Sequence, residues 1–160
     1  MIDTHFNSSL GLKLTDRQVV SEIVRFMQAD PERRYKVTIG TDSKLYGKTN
    51  ADFVTAVVVH RVGNGGRYFW RRAELGNFHT LRDRILQEVM FSLDVTKEIL
   101  VALKEASAPN FDFEIHVDIG ENGETKVMIQ ELTAMIRANS FEVKTKPESY
   151  SASWVADRHV

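Results

Sequence analysis

Two runs of strand-forming residues, Phe53–Arg61 and Arg67–Glu74, flank the turn Gly63-Asn-Gly-Gly66, and this pattern commits the middle of the chain to a β-hairpin. A third run precedes them. In Tyr35-Lys-Val-Thr-Ile-Gly-Thr-Asp-Ser43, apolar Val37 and Ile39 alternate with Lys36, Thr38 and Gly40, the two-residue period of a strand. A polar loop from Leu45 to Asn50 joins this run to the hairpin, so an antiparallel meander of three strands is expected. The first strand delivers Asp42, flanked by hydroxyl-bearing Thr41 and Ser43, to its end. A carboxylate held rigidly in low-dielectric surroundings is a natural cation ligand, and it is also an ordinary turn cap.

The remaining elements alternate in type. Residues 1–14 read as a loose lead-in. Thr15-Asp-Arg-Gln18 then fits a capping box, and Val19, Val20, Ile23, Val24 and Met27 follow at helical spacing until Asp30-Pro31. The apolar stripe of this helix suits packing or homodimer formation. Asn77-Phe-His-Thr80 opens a long helix carrying Leu81, Ile85, Val89, Leu93, Leu100 and Leu103. Phe111–Asp118 alternates strictly and also ends in an Asp, before the loop Ile119-Gly-Glu-Asn-Gly123. Thr125–Ala138 predicts a helix with Val127, Met128, Leu132, Met135 and Ile136 inward. Phe141–Lys144 predicts a short strand, Lys146-Pro-Glu-Ser149 a turn, and Tyr150–Asp157 a terminal helical segment. The order is one helix (within residues 1–34) and then β-β-β-α-β-α-β-α, which implies an α/β domain spanning 1–160 with a mixed five-stranded sheet.

Composition narrows the function classes. The chain has 160 residues, 42% of them hydrophobic, enough for one domain with a full core. Its formal net charge is -1, from 21 basic and 22 acidic residues, so any site for a polyanion has to be local. Without cysteine there are no disulfides and no thiolate metal sites, which fits a cytoplasmic location. The start Met1-Ile-Asp-Thr-His-Phe-Asn7 lacks the pattern of a signal peptide, and the longest apolar run, Phe53 to Val59, is too short to span a membrane.

This order of elements, with acids so placed, resembles the ribonuclease H-like fold. There the first strand supplies an Asp, the first long helix a Glu, the fourth strand an Asp and the last helix another; the matching positions here are Asp42, Glu88, Asp118 and Asp157. The ending Ser153-Trp-Val-Ala-Asp157 is similar to the Asn-x-x-Ala-Asp ending of retroviral-type ribonuclease H domains, with Ser153 where Asn would stand. More narrowly, Ile39-Gly-Thr-Asp-Ser43, His116-Val-Asp-Ile-Gly120, Lys146–Ser153 and Ala156-Asp-Arg-His159 resemble the YkuK-type ribonuclease H-like family over residues 35–160. The resemblance implies a nuclease acting on RNA or DNA with Mg²⁺ or Mn²⁺, the metals held by Asp42, Glu88, Asp118 and Asp157, and products bearing a 5′-phosphate and a 3′-hydroxyl.

The chemistry explains why such residues recur together. Phosphodiester hydrolysis needs an in-line water and charge relief on the attacking and leaving oxygens, and two Mg²⁺ roughly 4 Å apart supply both. Mg²⁺ takes hard oxygen ligands, so a few carboxylates suffice. Each acid also has a plainer reading. Asp42 and Asp118 suit turn caps, Glu88 a solvated helix face shared with Asp83, Asp94 and Glu98, and Asp157 a helix end. His159 suits a proton shuttle or a frayed terminus, His116 a buried hydrogen-bonded partner, and His79 and Glu148 helix caps. Ser43, Lys146, Arg71 and Arg82 are candidate substrate contacts. The last two belong to a basic and aromatic mixture, Arg61, Arg67, Tyr68, Phe69, Trp70, Arg71, Arg72, Arg82 and Arg84, which suits either phosphate and base contact or a guarded edge strand. Two other functions fit the same pattern: a non-catalytic nucleic-acid-binding or scaffold module, and an actin-like phosphate loop at Asp118–Thr125.

Overall fold

The computed structural model describes residues 1–119, 126–139, 141, 143–144 and 159. In chain order the elements are β1 (Phe6–Ser8), β2 (Lys13–Leu14), α1 (Asp16–Gln28), β3 (Tyr35–Tyr46), β4 (Asn50–Arg61), β5 (Gly66–Leu75), α2 (Leu81–Glu105), β6 (Asp112–His116), a 3-10 turn at Lys126–Met128 running into α3 (Ile129–Ala138), and β7 (Val143–Lys144). The strands form one sheet in the order β2-β1-β5-β4-β3-β6-β7. β3 is its centre. It is antiparallel to β4 from Tyr35↔Arg61 to Tyr46↔Asn50, and parallel to β6 from Lys36↔Asp112 to Gly40↔His116. β6 and β7 are also parallel. The expected five strands are therefore present as β5-β4-β3-β6-β7, in a ribonuclease H-like arrangement.

Two features differ from the sequence expectation. The lead-in is part of the sheet: β1 pairs with β5 through Asn7↔Trp70 and Ser8↔Phe69, and β2 folds back on β1. Phe6, which nothing in the local pattern marks, is fully buried. The Ser8 hydroxyl accepts from the backbone N–H of Leu10 and Leu12, and Gly11 takes the positive φ of 81° that lets so tight a turn close. Secondly, β3 does not stop at Ser43. Asn50–Phe53 extend β4 and hold β3 in register as far as Tyr46, so the stretch read as a polar loop shrinks to a tight turn at Gly47.

The helices explain themselves by their stripes. α1 begins with the expected capping box: the Thr15 hydroxyl accepts from Gln18 N–H, and the Gln18 side chain accepts from Thr15 N–H. Val19, Val20, Ile23, Phe26 and Met27 are buried against β3, β5 and α2, so the stripe is used within the chain. α2 lies across the sheet. Its C-terminal half packs Val95, Ile99 and Leu103 with α1, while Ile85, Val89 and Leu93 pack with Ile115, Val117 and Leu132 of the β6–α3 side. In α3 and the 3-10 turn before it, Met128, Leu132 and Ile136 point inward as expected, whereas Val127 in that turn is exposed. Tyr150–Asp157 lies outside the described residues. No helix among the described residues is long and apolar enough to cross a membrane.

If β1 is structural, Phe6→Ala should lower stability by about 3–5 kcal/mol, as for other large core truncations, and urea denaturation will measure it. An unchanged midpoint would mean that the first residues are a loose lead-in after all.

Candidate active site

The pleat of β3 decides which side chains can meet. Thr41 Oγ1 lies 2.9 Å from Thr55 Oγ1 on β4 and 2.8 Å from Ser92 Oγ on α2, so Thr41 faces α2. Alternation puts Ser43 on that face and Asp42 on the other. Asp42 is half-buried there, and its side chain accepts the N–H of Ser43 at 2.9 Å. On β6, Glu114 and His116 lie on the same face as Asp42, since Glu114 Oε1 sits 2.8 Å from both Lys36 Nζ and His116 Nε2. Parallel pairing ends at Gly40↔His116; carried two residues further, the register sets half-buried Asp118 beside Asp42. Asp42, within β3, and Asp118, just beyond β6, thus share one face.

Glu88 reaches them from the opposite side. It lies on the inner stripe of α2 among Ile85, Val89 and Ser92 and is only 6% exposed, which overturns the reading of a solvated glutamate. The Ser43 hydroxyl donates to Glu88 Oε2 at 2.5 Å. Arg84, one turn earlier, donates from Nη1 to the Ser43 carbonyl (3.0 Å) and to its hydroxyl (3.2 Å). Burial pushes the Glu88 carboxyl well above the usual carboxylate range; the Ser43 hydrogen bond opposes this, the charge on Asp42 adds to it, Arg84 opposes it, and Asp118 adds again. Glu88 on α2 is therefore within electrostatic reach of Asp42 on β3 and of Asp118 just beyond β6. Among the described residues, however, no three His, Cys, Asp or Glu side chains close into a group that holds a metal ion. Asp157 and Lys146 lie outside the described residues, as does most of the loop after Asp118.

The other candidates are engaged elsewhere. The His159 ring stacks on Trp70 at 4.3 Å between centroids and 14° between planes, and its carbonyl accepts from Arg72 Nη2 at 2.6 Å. His159 therefore sits over β5, two strands from Asp42. Arg71 faces α2, pairs with Glu98 at 3.3 Å and covers the Phe6 ring, while Arg82 pairs with Glu131 at 2.6 Å. Neither is drawn to the acids. Arg61 lies over the Phe26 ring and donates to the Phe26 carbonyl at 2.7 Å, and Arg72 pairs with Asp52 at 3.2 Å. The basic cluster is thus mostly internal mortar. His116 is buried beside Glu114, as expected; burial pushes the Glu114 carboxyl up, but hydrogen bonds from His116 and Lys36 outweigh it and hold the group below its ordinary range.

Two parts of the site escaped the sequence reading. In the sequence Arg84 stands as one more basic residue of the cluster, although its place one turn before Glu88 is a usable signal. The buried hydroxyl chain Thr55–Thr41–Ser92 ties β4, β3 and α2 together, and Thr96 extends it by donating to the Ser92 carbonyl at 2.7 Å.

The raised Glu88 carboxyl gives a pH prediction. Between the ordinary carboxylate value and the raised one, the folded chain keeps a proton that the unfolded chain has released. Stability therefore falls as pH rises through that window and stays low above it. In chelator at neutral pH, Glu88→Gln should melt higher than wild type, by about 2–4 °C for each 1 kcal/mol regained in a chain of this size. The gain should vanish near pH 4, where both states bind the proton. Scanning calorimetry across that range checks the sign.

Comparison with known proteins agrees with this architecture. A family model described as ribonuclease H-like matches residues 18–160. The chain is 33% identical over 159 aligned residues to the protein YkuK of Bacillus subtilis (strain 168), itself described as uncharacterized, with 91% of each chain covered. No solved structure matches it significantly. With β3 central and β6 parallel to it, and with the family model and the relative both matching most of its length, the chain belongs to the YkuK-type ribonuclease H-like family.

Proposed function

We propose that this chain is a divalent-metal-dependent nuclease that hydrolyses phosphodiester bonds in RNA or DNA. One observation carries the reading: Glu88 is buried within electrostatic reach of both Asp42 and Asp118, three acids from separate elements whose like charges oppose one another. A fold gains nothing from such a grouping unless a cation or a proton relieves it. The donor set fits Mg²⁺ or Mn²⁺, which take hard oxygen ligands and retain water. Asp42, Glu88 and Asp118 would hold the metal, with Asp157 as the fourth acid that the family resemblance implies. Bound there, the metal would activate water and offset charge on the phosphate oxygens.

The chain's own residues prepare that chemistry. Ser43 holds the Glu88 carboxylate by a hydrogen bond and is itself held by Arg84, so the carboxylate has a fixed orientation before any ion arrives. The Thr41–Ser92 contact fixes the height of α2 against β3, and with it the height of Glu88 against Asp42. The cysteine-free composition fits work in the cytoplasm. The rival reading is a nucleic-acid-binding or scaffold module without catalysis, for which the arginine cluster would be the natural phosphate contact. That cluster is now largely engaged in internal pairs with Glu98, Asp52 and Glu131.

Asp42→Asn tests the proposal. With Mg²⁺ or Mn²⁺ and a panel of labelled single-stranded, duplex and hybrid substrates, wild type should cleave. The variant should lose activity at least ~100-fold, beyond the 10–100-fold expected of a group that only supports a ligand. Nucleic-acid binding indifferent to both metal and the substitution would favour the binding module instead.

A further inference from the structure

We propose that the β3–β4 tip beyond Asp42 holds the substrate strand, with Lys44 on a phosphate and Tyr46 stacked on an unpaired base of single-stranded RNA or DNA. The assignment rests on the nuclease reading above and names the form of nucleic acid that the site takes. Lys44 and Tyr46 follow Asp42 on β3 at two-residue steps, so the pleat turns all three to the face away from α2. Phe53, opposite Ser43, packs on Phe91 of α2, in agreement with that parity. Each two-residue step is about 7 Å, comparable with one nucleotide of an extended single strand. The register sets Asp52 and Glu74 across from Lys44, and Arg72 across from Asp42 with Val54 between. In this corner Lys44, Leu45, Tyr46, Asp52, Arg72 and Glu74 line one open cavity of about 410 Å³.

These two side chains differ from the other phosphate and base contacts that the sequence offers, because the fold does not use them. Arg71 is held by Glu98 and Arg82 by Glu131, while Arg72 is held by Asp52 and the His159 carbonyl, and Trp70 lies under the His159 ring. Lys44 is exposed and makes no ion pair among the described residues. Tyr46 is 46% exposed, with no hydrogen bond or ring contact among them. An available cation and an open aromatic ring, side by side, supply the two terms that hold a single strand: phosphate attraction and base stacking. The carboxylates of Asp52 and Glu74 repel phosphate, so the backbone follows the Lys44 side of the cavity and the base turns toward the Tyr46 ring. A closed duplex keeps its bases stacked on one another and offers that ring no free face. A strand held in this way continues directly to Asp42, the next residue of the same face.

Fluorescence anisotropy of a short labelled oligonucleotide, single-stranded or annealed as a blunt duplex, tests this on the full chain in chelator, where binding is read apart from cleavage. Circular dichroism melts show whether each variant is folded. Tyr46→Ala should weaken single-strand binding about fivefold or more and leave duplex binding unchanged, whereas Tyr46→Phe keeps the ring face and should bind like wild type. Lys44→Gln should lower the slope of log affinity against log salt by about 0.7, the share of one phosphate contact on a single strand, and Lys44→Arg should keep the wild-type slope. Lys104→Gln, in the last turn of α2, is the control for an exposed charge away from the cavity. Unchanged affinity in Tyr46→Ala, an equal loss on the duplex, or an unchanged slope in Lys44→Gln would overturn the proposal, and cleavage by wild type would then stand without it. Should Tyr46→Ala fail to fold, Lys44→Gln beside Lys44→Arg still decides. A wild-type chain that binds neither oligonucleotide also overturns it. Binding that obeys these expectations in a chain that cleaves nothing would keep the strand site and remove the nuclease reading.

Discussion

The Thr41 hydroxyl is the joint on which this architecture turns. It bonds to Thr55 on one side and Ser92 on the other, so a single oxygen ties β3, β4 and α2 at one level. All of these groups are buried, and a buried hydroxyl that loses its partner is costly. The contact therefore sets position as well as adhesion: α2 cannot slide along β3 without breaking it. Apolar packing of Val89 or Leu93 would tolerate small shifts that this polar contact does not. Every distance at the acids is inherited from that register.

The site itself is a compromise between sheet geometry and charge. Neighbouring residues on a strand face opposite ways, so Ser43 and Asp42 cannot both look at α2. The chain gives the α2 side to Ser43, which binds Glu88, and the far side to Asp42, which shares it with Asp118. What allows the two sides to communicate is that parallel pairing ends at His116 while β3 runs on to Tyr46. There Glu88, on the α2 side, lies within electrostatic reach of Asp42 and Asp118. Burial then leaves Glu88 reluctant to ionise, while Ser43 and Arg84 restrain that reluctance.

The fold was legible where its signals are local. Gly63-Asn-Gly65 between alternating runs specified the hairpin, Thr15 and Gln18 the start of α1, and the spacing from Ile85 to Leu103 the long helix. What was hidden depends on contacts far apart in sequence. β1 and β2 have three and two residues, too few for any period to show, and they exist because β5 offers them an edge. The extension of β3 to Tyr46 is carried by residues that look like a loop and are strand only because Asn50–Phe53 lie opposite. At the site, Asp42 and Asp118 were visible as the ends of alternating runs. Glu88 was ambiguous because acids are common on helices, though its spacing from Ile85 and Ser92 marks the inner face. The fate of the arginines could not be read at all, since a guanidinium bound to Glu98 or stacked on Phe26 looks the same in sequence as a free one.

Because the pleat sorts side chains by parity, the ladder between β3 and its two neighbours also acts as a guard on assembly. A slip of one residue would turn Asp42 toward the interior, and the same slip would turn Val37 and Ile39 out to water. Misplaced acids and a broken core are thus one and the same error. A chain that has buried its apolar residues correctly has, by that act alone, aimed its carboxylates.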